Sequence, residues 1–448
     1  MTAPALPLRG GTIWVGIDDT DSPGGGCTTW ALSELLAAAR TEEVDLVGEP
    51  RLVRLNPNIP WKTRGNAALS AHFGRGEGPR RRVGEVEGRP VWSYRRGRAL
   101  SPTLARRWVD RAWDRVLAAS RRGEPGTDPA LVAVDRLLPE ALYWAAVREV
   151  VPVADVRAAL LRAGAIVRTD GEDRGLVGAA AAVAWRGRRP TWEMIAYRHR
   201  ERWGSEREVD AGSVRRAGER YPALFLCDDP RTRRLLVAPH TACPILFGLR
   251  GTSPAAPLAA RRLVRSEPVD RWVLYRTNQG SGDHLVRRSA RALAPFTSAI
   301  VAGTLLHPPT ALAGGHVRLE VEDADGAVLE CLAFEPTKTL PRVARTLRAG
   351  DRLRVWGGRG SDGPFRLEGI ELLALGVRDT VRRPPRCPRC RSATHSLGRS
   401  RGYRCRRCRA RWPPEAGTVT EAPPRFGPGV YHPTPSARRH LAPRGPEP

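Results

Sequence analysis

Residues 12–29 read TIWVGIDDTDSPGGGCTT, and this stretch predicts the fold class of the N-terminal part of the chain. Thr12–Ile17 is a short apolar run rich in β-branched residues, which predicts a buried strand. The segment Thr28–Arg40 is rich in Ala and Leu and has a helical pattern. The order of strand, glycine loop and helix therefore predicts an α/β unit.

Three carboxylates follow this strand directly: Asp18, Asp19 and Asp21. Clustered carboxylates are costly unless something neutralises them. Mg²⁺ neutralises such groups and usually brings phosphate oxygens with it. We therefore interpret these aspartates as a candidate Mg²⁺ site, and the alternative is a solvated turn.

The glycines of the loop, Gly24, Gly25 and Gly26, would let the backbone approach a phosphate. Thr28 opens the following helix, whose N-terminus favours a negative charge. The loop is not a Walker A motif, because no G-K-[ST] follows it. In the alternative interpretation Thr28 is only a helix N-cap.

A second motif spans residues 54–66 and reads RLNPNIPWKTRGN. Lys62 and Arg64 could neutralise phosphates, and Asn66 could hold a metal or a nucleotide oxygen. Taken alone the motif is weak, because a basic loop is more often simply solvated.

The composition points to a polyanionic partner. The chain has 448 residues, a net charge of +27 and a pI of about 11.2. Such an excess favours nucleic acid, although frequent use of Arg in a GC-rich genome is an alternative cause. No run of about 18 apolar residues predicts a membrane helix, and Met1–Gly11 does not resemble a secretory signal. We expect a cytoplasmic protein without a membrane partner.

The central part of the chain predicts two further folding units. We expect a strand at Val147–Val153, a helix at Ala154–Ala163 and further strands, which suits a ferredoxin-like α+β domain. These further strands are Thr191–Arg198, Ala223–Cys227 and Arg234–Ala238. The next region predicts five strands with a helix, Thr337–Leu347, after the third, which is the order of an OB-fold β-barrel. Its predicted strands are Ala299–Leu306, His316–Val321, Val328–Ala333, Arg352–Trp356 and Phe365–Leu373.

Four cysteines near the end have metal-site spacing. Cys387 and Cys390 form one C-x-x-C pair, and Cys405 and Cys408 form a second pair fourteen residues later. Four thiolates from two tight turns can close a tetrahedral shell around Zn²⁺, so we predict a structural zinc ribbon. The Pro-, Gly- and Arg-rich segment Pro413–Pro448 has the composition of irregular chain.

These motifs together resemble those of the archaeal isoleucine-tRNA agmatidine synthetases. The resemblance runs in order through nearly the whole chain, which makes chance a poor explanation. It is carried by GIDDTDSP (16–23) with CTT (27–29), RLNP (54–57) with KTRGN (62–66), TWEMIAYR (191–198), RTNQG (276–280) with HL (284–285), the cysteine motif, and PSARRHL (435–441).

The resemblance implies an ATP-dependent ligase that forms a carbon–nitrogen bond on RNA. Agmatine would be transferred to the 2-position of the wobble cytidine in isoleucine tRNA with a CAU anticodon, which changes decoding from AUG to AUA. It also implies that Thr28 accepts a phosphoryl group, that Asp18, Asp19 and Asp21 hold Mg²⁺, and that Lys62 and Arg64 lie on phosphates. The segment HTACP (240–244) departs from the family's H-G-P-x-P, so its contacts are in doubt.

We accordingly expect four domains. They are a kinase-like ATP-binding domain at residues 1–137, a ferredoxin-like domain at 138–275, an OB-fold at 276–378, and a zinc ribbon with a tail at 379–448. Binding of tRNA is assigned to Arg276, Asn278, Gln279, Arg438 and Arg439. The alternatives are a non-catalytic RNA-binding protein with an OB-fold and zinc ribbon, and a tRNA modifier that uses another amine, such as lysine.

Overall fold

A computed structural model describes residues 11–377, 380–398, 400–421 and 425–444. Residues 1–10, which carry most of the argument against a secretory signal, lie outside this described part. In the described part, no helix combines the length and the apolar character that a bilayer-spanning helix requires.

Two of the described α-helices begin at a polar side chain that caps their first turn. Ser101 accepts a hydrogen bond from the Leu104 backbone N–H, and Asp210 does the same for Ser213, so both side chains cap the helices that follow. The helices are α1 (Thr28–Thr41), α2 (Pro102–Ala119), α3 (Glu140–Arg148), α4 (Val153–Arg162), α5 (Gly175–Ala184), α6 (Ala211–Arg220), α7 (Ala255–Ala260) and α8 (Thr339–Ala344).

One large mixed sheet organises the N-terminal two thirds of the chain. Its main path runs β7-β6-β1-β4-β3-β13-β8-β12-β9, with β2 beside β4 and β5, while β10 and β11 form a separate ribbon. The strands are β1 (Ile13–Asp18), β2 (Asp45–Val47), β3 (Arg51–Arg54), β4 (Ala67–Val86), β5 (Arg89–Arg98), β6 (Ala130–Val134), β7 (Ile166–Thr169), β8 (Thr191–Arg198), β9 (Leu224–Phe225), β10 (Asp228–Asp229), β11 (Arg234–Leu235), β12 (Ile245–Gly251) and β13 (Val269–Thr277).

The predicted strand and helix around the glycine loop are confirmed as β1 and α1. The buried helix α5 packs so tightly on β1 that a Cβ at Gly16 would lie 2.2 Å from the carbonyl oxygen of Ala179. Only glycine permits that approach. The C-terminal end of β1 is thereby fixed between α5 and the loop that leads into α1.

The packing around β1 includes residues beyond 137, where we expected the first domain to end. β7 pairs with β6, and α5 packs on β1. The strand predicted at Val147–Val153 is wrong: α3 ends at Arg148 and an extended segment leads to α4. Val147 is β-branched but faces the core from a helix, so tertiary packing overrode its strand preference. The helix predicted at Ala154–Ala163 is confirmed as α4.

The second half of the sheet contains the strands expected for the next unit, with shifted pairing. The strand Thr191–Arg198 is confirmed as β8. The strands predicted at Ala223–Cys227 and Arg234–Ala238 are shorter than expected: β9 pairs with β12, and β10 pairs with β11. Asp229 accepts backbone hydrogen bonds from Arg231 and Thr232, so it closes the tighter turn.

A closed five-stranded barrel follows, and its strand order is the predicted one. β14 pairs with both β16 and β18, which closes the sheet, and α8 covers a smaller span than the predicted Thr337–Leu347. The barrel strands, with the short β15 beside them, are β14 (Ser298–Leu305), β15 (Thr310–Ala311), β16 (Val317–Asp323), β17 (Val328–Ala333), β18 (Arg352–Gly358) and β19 (Phe365–Ala374).

The C-terminal part combines a small ribbon with a docked tail. The tail is less irregular than its composition predicted, because β25 pairs with β19 of the barrel and Leu441 is buried in the core around α5. The strands are β20 (Thr380–Arg383), β21 (Thr394–Ser396), β22 (Tyr403–Cys405), β23 (Arg411–Trp412), β24 (Thr418–Glu421) and β25 (Gly429–Tyr431).

Candidate active site

The acidic loop begins at the C-terminal end of β1 and contains carboxylates with raised pKa values. Burial raises the pKa of Asp18 well above its usual value, and the neighbouring charge of Asp19 adds to the effect. Burial, and then the charge of Asp21, raise the pKa of Asp19 to about 7. A bound cation would favour the ionised form of both groups.

The three loop carboxylates converge less tightly than their position after a strand predicted. In the described residues, only the four C-terminal cysteines bring three or more possible metal ligands within 4.8 Å of one another. Asp21 is instead engaged by the Thr63 hydroxyl at 2.9 Å and by Nε of Arg64 at 3.5 Å. Mg²⁺ usually needs one or two protein carboxylates, with water and phosphate as its other ligands. Asp18 and Asp19 suit that smaller role.

Arg64 holds the glycine loop in its shape. Its Nη2 donates to the carbonyl oxygens of Ser22, Gly25 and Gly26 at 3.2, 2.7 and 2.8 Å. Gly26 has a φ of 73°, which favours glycine. In this arrangement the guanidinium of Arg64 orders the loop through its carbonyl groups.

Thr28 is the first residue of α1, and its hydroxyl accepts a hydrogen bond from Thr20 at 3.2 Å. The capping position belongs to Cys27, whose side chain makes no capping hydrogen bond. The interpretation of Thr28 as a simple N-cap is therefore not supported. Thr28 lines one cavity together with Asp18, Asp19 and Asp21.

The segment 62–66 lines the same cavity, and its residues Thr63 and Arg64 contact the acidic loop directly. Lys62 donates to the Ile59 carbonyl at 2.7 Å, and Asn66 donates to the Asn56 carbonyl at 2.8 Å. Burial lowers the pKa of Lys62, and the charges of Arg439 and Arg366 lower it further. Asn66 therefore shapes its own loop, while Lys62 lies near two other cations, Arg439 and Arg366.

The cavity has a volume of about 540 Å³ and is lined by residues from distant parts of the sequence. The acidic loop forms one wall. Another wall contains Glu193 from β8, with Nε of Arg250 at 3.0 Å and Nη2 of Arg54 at 3.8 Å from its carboxylate. His440 of the tail completes this wall.

Sequence reasoning missed Glu193, Arg54, Arg250 and His440 as site residues. Three of them, at positions 54, 193 and 440, lie inside the motifs that carry the family resemblance. Nothing in their spacing shows that they meet, because the folding of the chain brings them together. Only the recurrence of the motifs in one family could have singled them out.

The divergent segment HTACP (240–244) also forms part of this cavity. Thr241 and Cys243 line it, and Arg207 holds the segment by donating to their carbonyl oxygens at 2.8 and 2.9 Å. A Cβ at Gly25 would lie 3.3 Å from the carbonyl oxygen of Ala242. The departure from the family pattern therefore lies beside the glycine loop.

The five residues assigned to tRNA binding occupy two different environments. Asn278 and Gln279 are each 1% exposed. Asn278 bonds the backbone of Arg54 through both atoms of its amide, so its burial argues against direct contact with RNA. Arg276 donates to the Gly187 carbonyl and is partly exposed. Arg438 and Arg439 line a second cavity of about 290 Å³ between the barrel and the tail.

The four C-terminal cysteines form a compact cluster. Sγ of Cys387 lies 3.6 Å from that of Cys408, and Sγ of Cys390 lies 3.5 Å from that of Cys405. Tetrahedral zinc, with Zn–S bonds of about 2.3 Å, requires S···S distances of roughly this size. The described cysteines thus fit a structural zinc ion, and they would hold the ribbon strands together.

The fold and the site define a class: a basic, multidomain α/β protein with a charged cavity between its units, a closed barrel and a zinc ribbon. Three family models match the chain: the TiaS TCKD domain at residues 14–169, the TiaS FLD domain at 173–284 and the TiaS C-terminal zinc ribbon domain at 384–419. The chain belongs to the TiaS family.

Relatives and solved structures agree with this placement. The 2-agmatinylcytidine synthetases TiaS of Methanopyrus kandleri and Archaeoglobus fulgidus, whose names specify an isoleucine tRNA, are each 35% identical to this chain. Both matches cover 96% of this chain, with 95% and 96% of the relatives. The structure of TiaS in complex with isoleucine tRNA and ATP has a TM-score of 0.78 at 32% identity, with 96% of each chain covered. The structure of TiaS in complex with isoleucine tRNA, AMPCPP and agmatine has a TM-score of 0.77 at 30% identity, with the same coverage.

Proposed function

We propose that this protein uses ATP to transfer agmatine to the 2-position of the wobble cytidine of isoleucine tRNA with a CAU anticodon. The observation that carries the proposal is the single cavity in which the acidic loop, Thr28, the segment 62–66 and Glu193 meet. Membership of the TiaS family, over nearly the full length of its relatives, supplies the identity of the substrates.

The chemistry explains the need for ATP. The carbonyl oxygen O2 of cytosine is a poor leaving group. Transfer of a phosphoryl group from ATP to O2 turns it into a good one. The primary amine of agmatine then attacks C2, the C–O bond breaks, phosphate leaves, and the nitrogen loses a proton. The protein mainly positions the reactants and stabilises charge, as in other phosphoryl transfers.

The acidic loop is proposed to supply the metal–phosphate part of this site. Asp18 and Asp19 would hold Mg²⁺, which neutralises phosphate oxygens when it is bound. Gly24, Gly25 and Gly26 let the backbone come close to a phosphate, and Lys62 provides a positive charge in the same cavity. Thr28 presents a hydroxyl to the same space, and we propose that it accepts a phosphoryl group. The partly buried position of both carboxylates, with their raised pKa values, supports a bound cation.

The remaining units are proposed to bind the RNA. We propose an OB-fold for the five-stranded barrel, a ferredoxin-like fold for the unit around β8, β12 and β13, and a kinase-like fold for the first unit. The net charge of +27 suits a polyanion. Arg276, Arg438 and Arg439 are the proposed cationic contacts, and exposed arginines of the ribbon, such as Arg406 and Arg407, add to them.

The proposed reaction gives a direct test. The protein is incubated with ATP, a CAU-anticodon isoleucine tRNA and either labelled agmatine or labelled lysine. Label should enter the tRNA from agmatine and only in the presence of ATP. Incorporation of lysine instead would identify a modifier with another amine. Binding of tRNA without incorporation of either amine would identify a non-catalytic RNA-binding protein.

A further inference from the structure

Three side chains from distant parts of the sequence form a hydrogen-bonded series in the cavity wall: Glu193, Gln279 and His440. The side-chain Nε2 of Gln279 donates to the carboxylate of Glu193. Oε1 of the same amide lies 3.2 Å from Nδ1 of His440. Glu193 and Gln279 are 3% and 1% exposed, whereas His440 at the other end of the series is only partly buried and lines the cavity.

This series determines which nitrogen of His440 carries the proton. A carboxylate flanked by the guanidinium groups of Arg54 and Arg250 can only accept hydrogen bonds. It therefore receives the nitrogen end of the Gln279 amide, and the oxygen end faces His440. An amide oxygen also only accepts, so Nδ1 of His440 must be the protonated nitrogen. In the neutral imidazole, Nε2 then carries a free lone pair.

The surroundings keep the imidazole neutral and leave Nε2 available. The charge of Arg54, burial and the charge of Arg250 together hold the pKa of His440 well below its usual range. In the described part of the chain no hydrogen bond engages Nε2. The edge that carries Nε2 borders Gly65, where an added Cβ would lie 3.2 Å from this atom. The lone pair therefore borders the segment 62–66 that faces the acidic loop.

We propose that Nε2 of His440 is a permanent hydrogen-bond acceptor that recognises the exocyclic amino group of a nucleobase in this cavity. Two bases in the proposed reaction carry such a group: cytosine of the tRNA, at N4, and adenine of ATP, at N6. The bases uracil and hypoxanthine carry an oxygen at the equivalent place. Such an oxygen would place its own lone pair against that of Nε2, so that neither acceptor would have a hydrogen-bond donor.

The same properties argue against proton transfer by His440. A general base is most effective when its pKa lies near the working pH. The pKa of the His440 imidazole lies far below that pH. Its fixed tautomer suits recognition, because an acceptor that never becomes a donor rejects a carbonyl at every physiological pH. His440 would therefore contribute to specificity, and Gln279 and Glu193 would be positioning residues.

The test compares affinities, so it remains informative if amine transfer itself is absent. The dissociation constant of the full-length protein is measured for tRNA with C34 against the same tRNA with U34, and for ATP against ITP. The wild type should prefer the amino form by about tenfold or more in one of the two comparisons, as expected for one unpaired acceptor. His440→Ala should abolish that preference and leave the other comparison unchanged.

The comparison that responds identifies the base. Loss of the C34 preference assigns His440 to the tRNA, and loss of the ATP preference assigns it to the cofactor nucleotide. Unchanged ratios in both comparisons would overturn the proposal. The proposed function fails separately, through the absence of labelled agmatine in the tRNA.

A second measurement reads the tautomer of His440 directly in the wild-type protein. The protein is labelled with ¹⁵N-histidine, and the resonances absent from His440→Ala assign this imidazole in the wild type. At pH 7 the wild-type spectrum should show a protonated Nδ1 and an unprotonated Nε2. A protonated Nε2, or a charged imidazolium, would overturn the proposal.

Discussion

Among single residues, the clearest physical signal is the pair of partly buried carboxylates Asp18 and Asp19. Their pKa values are raised because burial and mutual repulsion disfavour the ionised forms. A protein keeps such groups at a stability cost, so they are more often functional than structural. The quoted motif predicted their position after β1, whereas their burial depends on α5 and on packing that the sequence does not display.

Replacing Asp19 should remove a pH dependence of stability. The pKa of Asp19 is about 7 in the folded protein and about 3.9 in an unfolded chain. The folded state therefore holds a proton that the unfolded state releases, and stability falls as the pH rises from about 4 to about 7. Asp19→Asn lacks this loss, so its melting temperature should exceed that of the wild type by more at pH 8 than at pH 4.5.

Thermal unfolding without added Mg²⁺ measures this difference. The control is Asp114→Asn, since Asp114 is exposed on α2 and should keep the wild-type pH dependence. If Asp19→Asn changed the melting temperature by the same amount at pH 4.5 and at pH 8, this would contradict a raised pKa of Asp19.

Among elements, the close packing of α5 against β1 determines the shape of the site. The sequence predicted β1 and α1 well, because their periodicities are simple, and it predicted the five barrel strands within a few residues. It did not reveal α5, because the run GLVGAAAAVA is apolar all round and has no amphipathic pattern. The order of the tail does not follow from its composition, because Pro and Arg residues are typical of irregular chain; it gains order by docking on the barrel and on the core around α5.

Gly178→Ala should disrupt the acidic loop. A Cβ at position 178 would lie 1.7 Å from Oδ2 of Asp18, so the carboxylate or the helix must move. We expect a lower melting temperature and at least about tenfold slower ATP turnover, since catalytic geometry tolerates little displacement.

The matched control is Gly218→Ala, also inside a helix. Its nearest atoms belong to Cys227 at 3.7 and 3.8 Å, which is ordinary contact. This control should gain up to about 1 kcal/mol from helix propensity. If Gly178→Ala behaved like Gly218→Ala, the assigned packing of α5 on the loop would be incorrect.

The zinc ribbon predicts one tightly bound metal ion. Cys405→Ser removes one thiolate from the cluster, and purified protein should then contain much less than one zinc per chain. Elemental analysis measures this directly. Cys227→Ala serves as the control, since Cys227 lies outside the cluster, and it should retain the wild-type zinc content. Full zinc occupancy in Cys405→Ser would disprove the assignment.

For the whole molecule, the excess of positive charge should make tRNA binding depend steeply on salt. Each released counterion steepens the plot of log affinity against log salt concentration. A protein with six to ten phosphate contacts loses about 10³- to 10⁵-fold in affinity between 50 and 200 mM salt. Filter-binding titrations at several salt concentrations measure the slope. The double variant Arg406→Ala with Arg407→Ala should reduce the salt slope by up to about two, one for each lost phosphate contact.

Arg157→Ala is the control for that experiment, because Arg157 is already paired with Asp173. It should leave the slope unchanged. An affinity of the wild type that does not change with salt would mean that the arginine content has no role in RNA binding.

The whole-molecule claim is that ATP, the amine and the tRNA react in the one cavity that contains Thr28. The measurement that tests it most directly is mass spectrometry of the wobble nucleoside after incubation of the CAU-anticodon tRNA with protein, ATP and agmatine. The wild type should convert cytidine to 2-agmatinylcytidine, and Thr28→Ala should give no product while it still binds tRNA. An unmodified cytidine with the wild type, or normal conversion by Thr28→Ala, would contradict the account.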